Sequence, residues 1–141
     1  MSSLFTTERK ILFQHCDPAG MVFYPRYFEM INSVVEQWFE DAIGLSFADL
    51  HLKRGVAIPT ASISIDFRAP SQLGDSTLYS IDVTRFGTTS MHLALRAHCE
   101  GTLRLEGTQV LVMTDRDTQR PRPWLPEVET YVRTYAPELV S

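Results

Sequence analysis

In this chain of 141 residues, Asp17 is the carboxylate with the strongest case for chemistry. It opens Asp17-Pro18-Ala19-Gly20, whose residue types fit a type I β-turn, with Asp first, Pro second and Gly fourth. Pro18 fixes its own φ and pushes Asp17 toward extended backbone. Two roles are open to such an aspartate: accepting hydrogen bonds from the turn amides, or facing a reacting group. The second gains weight from the residues just beyond the turn. Pro25 suits the first turn of a helix, where its missing N–H costs nothing. The first amides of that helix, at Phe23 and Tyr24, have no intrahelical acceptor and carry partial positive charge. They can hold a developing oxyanion. A carboxylate just upstream could attack a reactive acyl group or activate a water. A thioester would suit, because its leaving group needs no strong acid.

Other reactive side chains have weaker cases. Cys16 is a rival nucleophile with His15 beside it. Along a strand, neighbours point to opposite faces, so the two make no dyad; Cys16 reads as a small buried side chain. His15 and Asp17 share a face on the same argument, so His15 either orients Asp17 or caps the turn. His51, His92 and His98 lack metal-ligand spacing and read as solvated, and no metal is expected. Arg116, Arg120 and Arg122 cluster in a polar segment, either as a solvated loop or as a phosphate contact. No Gly-rich phosphate loop and no Gly-x-Ser-x-Gly elbow is present.

These residues need a scaffold, and the hydropathy pattern supplies one. From Tyr27 to Ile43, apolar residues recur at three- and four-residue spacing, ending at Gly44. Some 17 residues at about 1.5 Å each make a helix roughly 25 Å long. Its apolar stripe is too broad for a helix lying on water. Beyond Gly55 the period changes to two, in segments around 57–68, 79–84, 90–99 and 103–113. Turn residues separate them, Glu100-Gly101 reads as a hairpin and Gly107 as a bulge. Thr7–Gln14 reads as a first strand with Ile11 and Phe13 on one face, behind a fraying segment 1–6. Ser46–Gly55 has some helical character, 115–126 reads as a loop, and 127–136 as a short terminal helix. The order predicts an α+β domain over 1–141, with an antiparallel, curved sheet of about five strands around one long helix.

Bulk properties set limits. Charged residues make up 21% and the net charge is -4, which argues against nucleic acid as the main partner. No apolar run approaches the ~20 residues of a membrane-crossing helix, and no secretion signal stands at the start, so a cytoplasmic location is expected. Two cysteines make no disulfide framework.

The run Asp17-Pro18-Ala19-Gly20-Met21-Val22-Phe23-Tyr24-Pro25-Arg26-Tyr27, with a long helix after it, resembles the 4-hydroxybenzoyl-CoA thioesterase family of hotdog-fold proteins. The likeness extends over the whole chain in length and strand order. It implies an acyl-CoA thioesterase that releases a carboxylic acid and coenzyme A, with no cofactor beyond the coenzyme A of the substrate. Asp17 would be nucleophile or general base, and the N–H of Phe23 or Tyr24 would polarise the thioester carbonyl. Sheets would join edge to edge into homodimers or homotetramers with active sites at the dimer interface. Tyr27, Asn32, Thr60 and Ser62 are expected to line the acyl pocket, and Arg85, Thr89 and Ser90 to meet the nucleotide. Asn32 stands where the hydroxybenzoyl enzyme has an acidic residue holding the phenol hydroxyl. Asparagine can hydrogen-bond there but cannot take a phenolic proton, which points to a different aryl or a medium-chain acyl group. Two alternatives differ in class or partner: a non-catalytic acyl-CoA binding module, and a thioesterase acting on acyl carrier protein.

Overall fold

The apolar stripe beyond Pro25 forms one long helix. In the computed structural model, which describes residues 3–140, α1 runs Pro25–Trp38 and continues through a wider π-helical turn, Phe39–Ile43. Tyr27, Met30, Ile31, Val34, Val35 and Trp38 are its buried stripe. Trp38, the last residue of α1, and Phe39, the first of the wider turn, are both fully buried. Gly44 ends the helix at φ 90°, a conformation that costs glycine little, and its N–H bonds the Phe39 carbonyl at 2.8 Å.

A five-stranded antiparallel sheet covers that stripe. Its strands are β1 (Phe5–Lys10), β3 (Thr60–Phe67), β4 (Ser76–Phe86), β5 (Ser90–Cys99) and β6 (Thr102–Val112), ordered β1-β4-β5-β6-β3. Period-two alternation sends Tyr79, Ile81, Val83, Met91, Leu93, Leu95, Leu105 and Leu111 into one core with α1. A short helix α2 (Phe47–Leu52) follows α1, and β2 (Val56–Ala57) pairs with β7 (Thr114–Asp115). A last helix, α3 (Pro126–Tyr135), closes the core, with the Trp38 indole N–H donating to the Tyr131 hydroxyl at 3.0 Å. Among the described residues, no helix is long and apolar enough to cross a membrane.

Local differences from the sequence pattern have physical causes. The first strand starts earlier and ends earlier than Thr7–Gln14. Phe5 and Thr6 are already paired to β4, and Leu4 N–H bonds the Asp82 carboxylate at 3.0 Å, so residues 4–6 are held. Beyond Lys10, Ile11 turns to the 70–75 segment, donating to Asp75 O and accepting from Gly74 N–H. Ile11 is fully buried while Phe13 is 81% exposed, so the two do not share a face. The 115–126 segment begins inside β7, which ties it to β2. The β5–β6 hairpin turns on Glu100 and Gly101, both at positive φ.

Gly107 marks a close approach, and the ladder through it is continuous. It pairs with Ile65 on one side and Leu95 on the other. A Cβ there would sit 2.0 Å from the Ser64 carbonyl oxygen and 2.9 Å from the Ile65 Cα. The irregularity in β3 lies instead between Thr60 and Ser62, where Ala61 is the extra residue.

Candidate active site

Backbone hydrogen bonds build the turn that presents Asp17. Gly20 N–H closes it onto Asp17 O at 3.0 Å, and Asp17 N–H bonds Met21 O at 2.9 Å. One carboxylate oxygen, Oδ1, accepts the Ala19 and Met21 N–H groups at 2.9 and 3.3 Å. The other, Oδ2, has no partner among the described residues. The first of the two roles open to Asp17, accepting from the turn amides, is thus taken by one oxygen, and the other oxygen stays unengaged among the described residues.

The turn is docked onto the 70–75 segment. Val22 N–H bonds Ser71 O at 3.0 Å and Leu73 N–H bonds Gly20 O at 3.0 Å. Arg104 holds that segment from behind, its Nη1 donating to Pro70 O, Ser71 Oγ and Asp75 Oδ2 at 2.9 to 3.2 Å. The Gln72 N–H, and after it the Arg104 guanidinium, hold the Asp75 carboxyl below its ordinary range. Sequence reasoning missed Arg104, since a basic residue in an alternating strand carries no mark of what it clamps.

Of the two expected oxyanion donors, one is already engaged. The Phe23 N–H donates to His15 O at 2.9 Å, closing the chain around the turn. The Tyr24 N–H is given no acceptor in the described backbone network, and Pro25 after it has no N–H. His15 does not bond Asp17. Its Nδ1 accepts the Leu12 N–H at 2.9 Å and caps the short 3-10 turn Phe13–His15. Burial holds its imidazole below the ordinary value, Glu29 works against this and Arg26 adds to it. Cys16 is half-buried, its thiol directed at Leu12 O at 3.5 Å.

The other expected site residues separate into two groups. Tyr27 stays with the turn: it is buried and stacks on Phe67 at 5.4 Å, beside Tyr24 and Phe28. Thr60 and Asn32 lie together farther along the helix, lining a cavity of about 310 Å³ with Val35, Glu36, Phe47 and Gln109. Ser62 is not with them. Its partner Val110 and Thr60's partner Leu111 are successive residues of β6, so the bulge at Ala61 sends Thr60 inward and leaves Ser62 on the outer face. Arg85, Thr89 and Ser90 lie at the far end of β4 and the start of β5. The Asp17 turn docks beside the start of β4, and at about 3.3 Å per residue its 11 residues span roughly 35 Å. Ser90 pairs with Val112 and Thr60 with Leu111, so those two share that far end. The Thr89 and Ser90 carbonyls are engaged, accepting from Met113 N–H and from Gly87 N–H and the Trp124 indole.

Gln109 is a second residue that sequence reasoning passed over. It occupies the inward phase of β6, Leu105-Gly107-Gln109-Leu111, and is only 1% exposed. Its Nε2 donates to Thr60 Oγ1 at 2.8 Å, while its Oε1 has no partner. A buried acceptor left unmatched costs about 1–3 kcal/mol. A polar residue in an apolar phase was the available signal.

A family model described as the thioesterase-like superfamily matches residues 11–131. The chain belongs to that superfamily. Among curated members, a 1,4-dihydroxy-2-naphthoyl-CoA hydrolase from Synechocystis is 31% identical over 81 residues, 57% of this chain and 58% of that protein. The match thus spans less than two thirds of that relative's length. Among solved structures, a 1,4-dihydroxy-2-naphthoyl-CoA thioesterase from Synechocystis superposes with a TM-score of 0.83 at 22% identity, covering 91% of this chain and 94% of the other. A protein from Staphylococcus aureus, solved in complex with CoA, gives 0.86 at 17% identity over 100% and 89%. At those identities the superpositions establish the hotdog fold, an α+β sheet wrapped on a long helix. The two Synechocystis proteins are named for the hydrolysis of a CoA thioester.

Proposed function

We propose that this member of the thioesterase-like superfamily is an acyl-CoA thioesterase, with Asp17 acting on the thioester carbonyl. The observation that carries the reading is the divided carboxylate of Asp17: Oδ1 is held by two amides and Oδ2 is unpartnered. It stands on a turn built back from the helix start, whose Tyr24 N–H lacks an acceptor. Oδ2 either attacks the carbonyl carbon, giving an anhydride that water opens, or takes a proton from the attacking water. In both routes the Tyr24 N–H receives the developing oxyanion, the carbon–sulfur bond breaks, and coenzyme A leaves as the thiolate. No cofactor or metal is assigned a step.

The two groups of site residues become one site in a dimer. β3 is an open sheet edge whose residues 61–65 carry no charge, whereas the opposite edge, β1, carries Glu8, Arg9 and Lys10. An uncharged edge invites strand pairing. A two-fold pairing of β3 with the β3 of a second copy is antiparallel. It sets the Phe67 end of one copy beside the Thr60 end of the other. The exposed rings of Phe23, Tyr24 and Phe67 continue that edge as an apolar patch. Asp17 and Tyr24 of one copy then face Asn32, Thr60 and Gln109 of the second, and Arg85 comes within the same assembly. A homodimer is the functional unit, with a homotetramer formed by pairing dimers, and the working location is the cytoplasm.

Hydrolysis of a panel of aromatic and aliphatic acyl-CoAs, followed by free-thiol release, tests the reading. Asp17→Asn is expected to lose ~10²-fold or more in kcat on every hydrolysed member. Retention of full activity would sink the mechanism. Acyl-CoA binding without turnover by wild type would make the chain a binding module.

A further inference from the structure

We infer that Arg104 is a positioning residue for Asp17: from a bulge in β6 it holds the 70–75 segment on which the Asp17 turn stands, and so sets the rate of thioester attack. The inference rests on the thioesterase reading and adds a residue, remote from the substrate, that controls the rate.

The register of β6 breaks at this residue. Ala97 of β5 faces Leu105 and His98 faces Leu103, so Arg104 is the extra residue between them. A bulge of this kind re-aims a side chain. Arg104 Nη1 lies 2.9 Å from Pro70 O, 3.2 Å from Ser71 Oγ and 2.9 Å from Asp75 Oδ2. Its carbonyl accepts the Arg68 and Ala69 N–H groups at 2.8 and 3.2 Å, so its main chain holds the approach to the same segment. The side chain is only 14% exposed, and its Nε is buried without a partner among the described residues. A purely stabilising role is served as well by an apolar side chain of similar volume. The guanidinium instead fixes one arrangement of the segment through charge-assisted bonds.

Both stems of the loop that bears Asp17 end on that segment. The incoming stem is tied at Ile11, whose N–H bonds Asp75 O at 2.7 Å and whose carbonyl accepts the Gly74 N–H at 2.9 Å. The outgoing stem is tied at Met21, bridged to Gln72, and at Val22, whose N–H bonds Ser71 O at 3.0 Å. Met21 in turn donates to Asp17 Oδ1 at 3.3 Å and accepts the Asp17 N–H at 2.9 Å. The path therefore runs from the guanidinium to Ser71 and Asp75, from them to Met21 and Val22, and from Met21 to the carboxylate. Loosening its first link lets the carboxylate drift from the helix start, and a misplacement of about 1 Å can cost ~10²-fold in rate.

The test is steady-state hydrolysis of the best acyl-CoA of the panel by wild type, Arg104→Met and Arg104→Lys. Arg133→Met, which breaks an exposed ion pair with Glu129 on α3, is the control and is expected to match wild type. Arg104→Met is expected to lose about tenfold or more in kcat with KM within about twofold, because a displaced carboxylate impairs attack and not substrate binding. Arg104→Lys is expected to recover most of that loss, since its ammonium brings three donors to the same acceptors and removes the unmatched Nε–H. Amide hydrogen exchange at Met21 and Val22 is expected to quicken about tenfold or more in Arg104→Met and to stay near wild type in Arg104→Lys. Thermal melts place every assay well below the midpoint of each variant. If Arg104→Met does not fold, Asp75→Asn takes its place, with a kcat loss of about threefold or more expected. Full kcat in the folded variant, equal losses in Arg104→Met and Arg104→Lys, or unchanged exchange at Val22 overturns the positioning role and leaves the thioesterase reading intact. Absence of turnover by wild type on every acyl-CoA overturns both.

Discussion

At the residue scale, His15 shows how a side chain can serve a site without touching the reaction. Its neutral Nδ1 accepts the Leu12 N–H, and its carbonyl engages the Phe23 N–H, so it closes the chain around the Asp17 turn. A protonated imidazole cannot accept. Because the folded imidazole is held below 6.5, the unfolded chain takes up a proton that the folded chain refuses. This contribution to stability is therefore constant above 6.5 and falls as pH drops from 6.5 through the lowered folded value. The thermal midpoint of wild type is expected to decline between pH 7.5 and 5.5 by more than that of His15→Asn, whose side-chain oxygen can accept at either pH. Parallel declines in the two proteins would show that His15 is not the titrating group. Asp17 was legible in the sequence because turn chemistry is local. The engagement of Phe23, which leaves Tyr24 as the free donor, was not, since it depends on where the carbonyl of His15 lands.

At the element scale, the open edge of the sheet depends on a glycine one strand in. Gly107 lets β3 lie flat against β6, with no room for a Cβ beside the Ser64 carbonyl. Gly107→Ala is expected to destabilise the fold by about 3 kcal/mol or more, because backbone has to move where overpacked side chains would only turn. Denaturant unfolding measures it, and a loss under ~0.5 kcal/mol would mean that the two strands separate freely. The spacing of residues 27–43 determined the helix, since a 3.6-residue stripe has one stable use. The alternation of 90–99 and 103–113 determined a hairpin in the same way. The bulge at Ala61 was not legible, because its register is set by β6 and not by β3's own residues. Thr60 and Ser62 therefore look equivalent in sequence and lie on opposite faces.

At the scale of the whole molecule, the residues expected to handle one substrate, acyl group and nucleotide together, lie at two ends of one sheet. Asp17, Tyr24 and Tyr27 stand at one end; Asn32, Thr60, Arg85, Thr89 and Ser90 stand toward the other. A single copy does not close the proposed site, so activity should track assembly. Ser64→Lys puts a charge in the middle of the bare β3 edge, where it disfavours pairing. Sedimentation is expected to show a shift toward monomer, with turnover per chain falling at least tenfold at concentrations where the variant is monomeric. A fully active monomer would rule out the composite site.

The sequence by itself determined the long helix, the antiparallel strands, the Asp17 turn and the likeness to a thioesterase family. Each rests on spacing between near neighbours, which a linear chain displays. Tertiary structure alone decided which amide of the helix start stays free, which way Thr60 faces, and that Gln109 is buried with an unpaired oxygen. These depend on which segments meet, such as Phe23 with His15 across the Asp17 turn and Gln109 with Thr60 across the sheet. A local pattern fixes what a segment can be, whereas hydrogen-bond partners are assigned only when the segments meet.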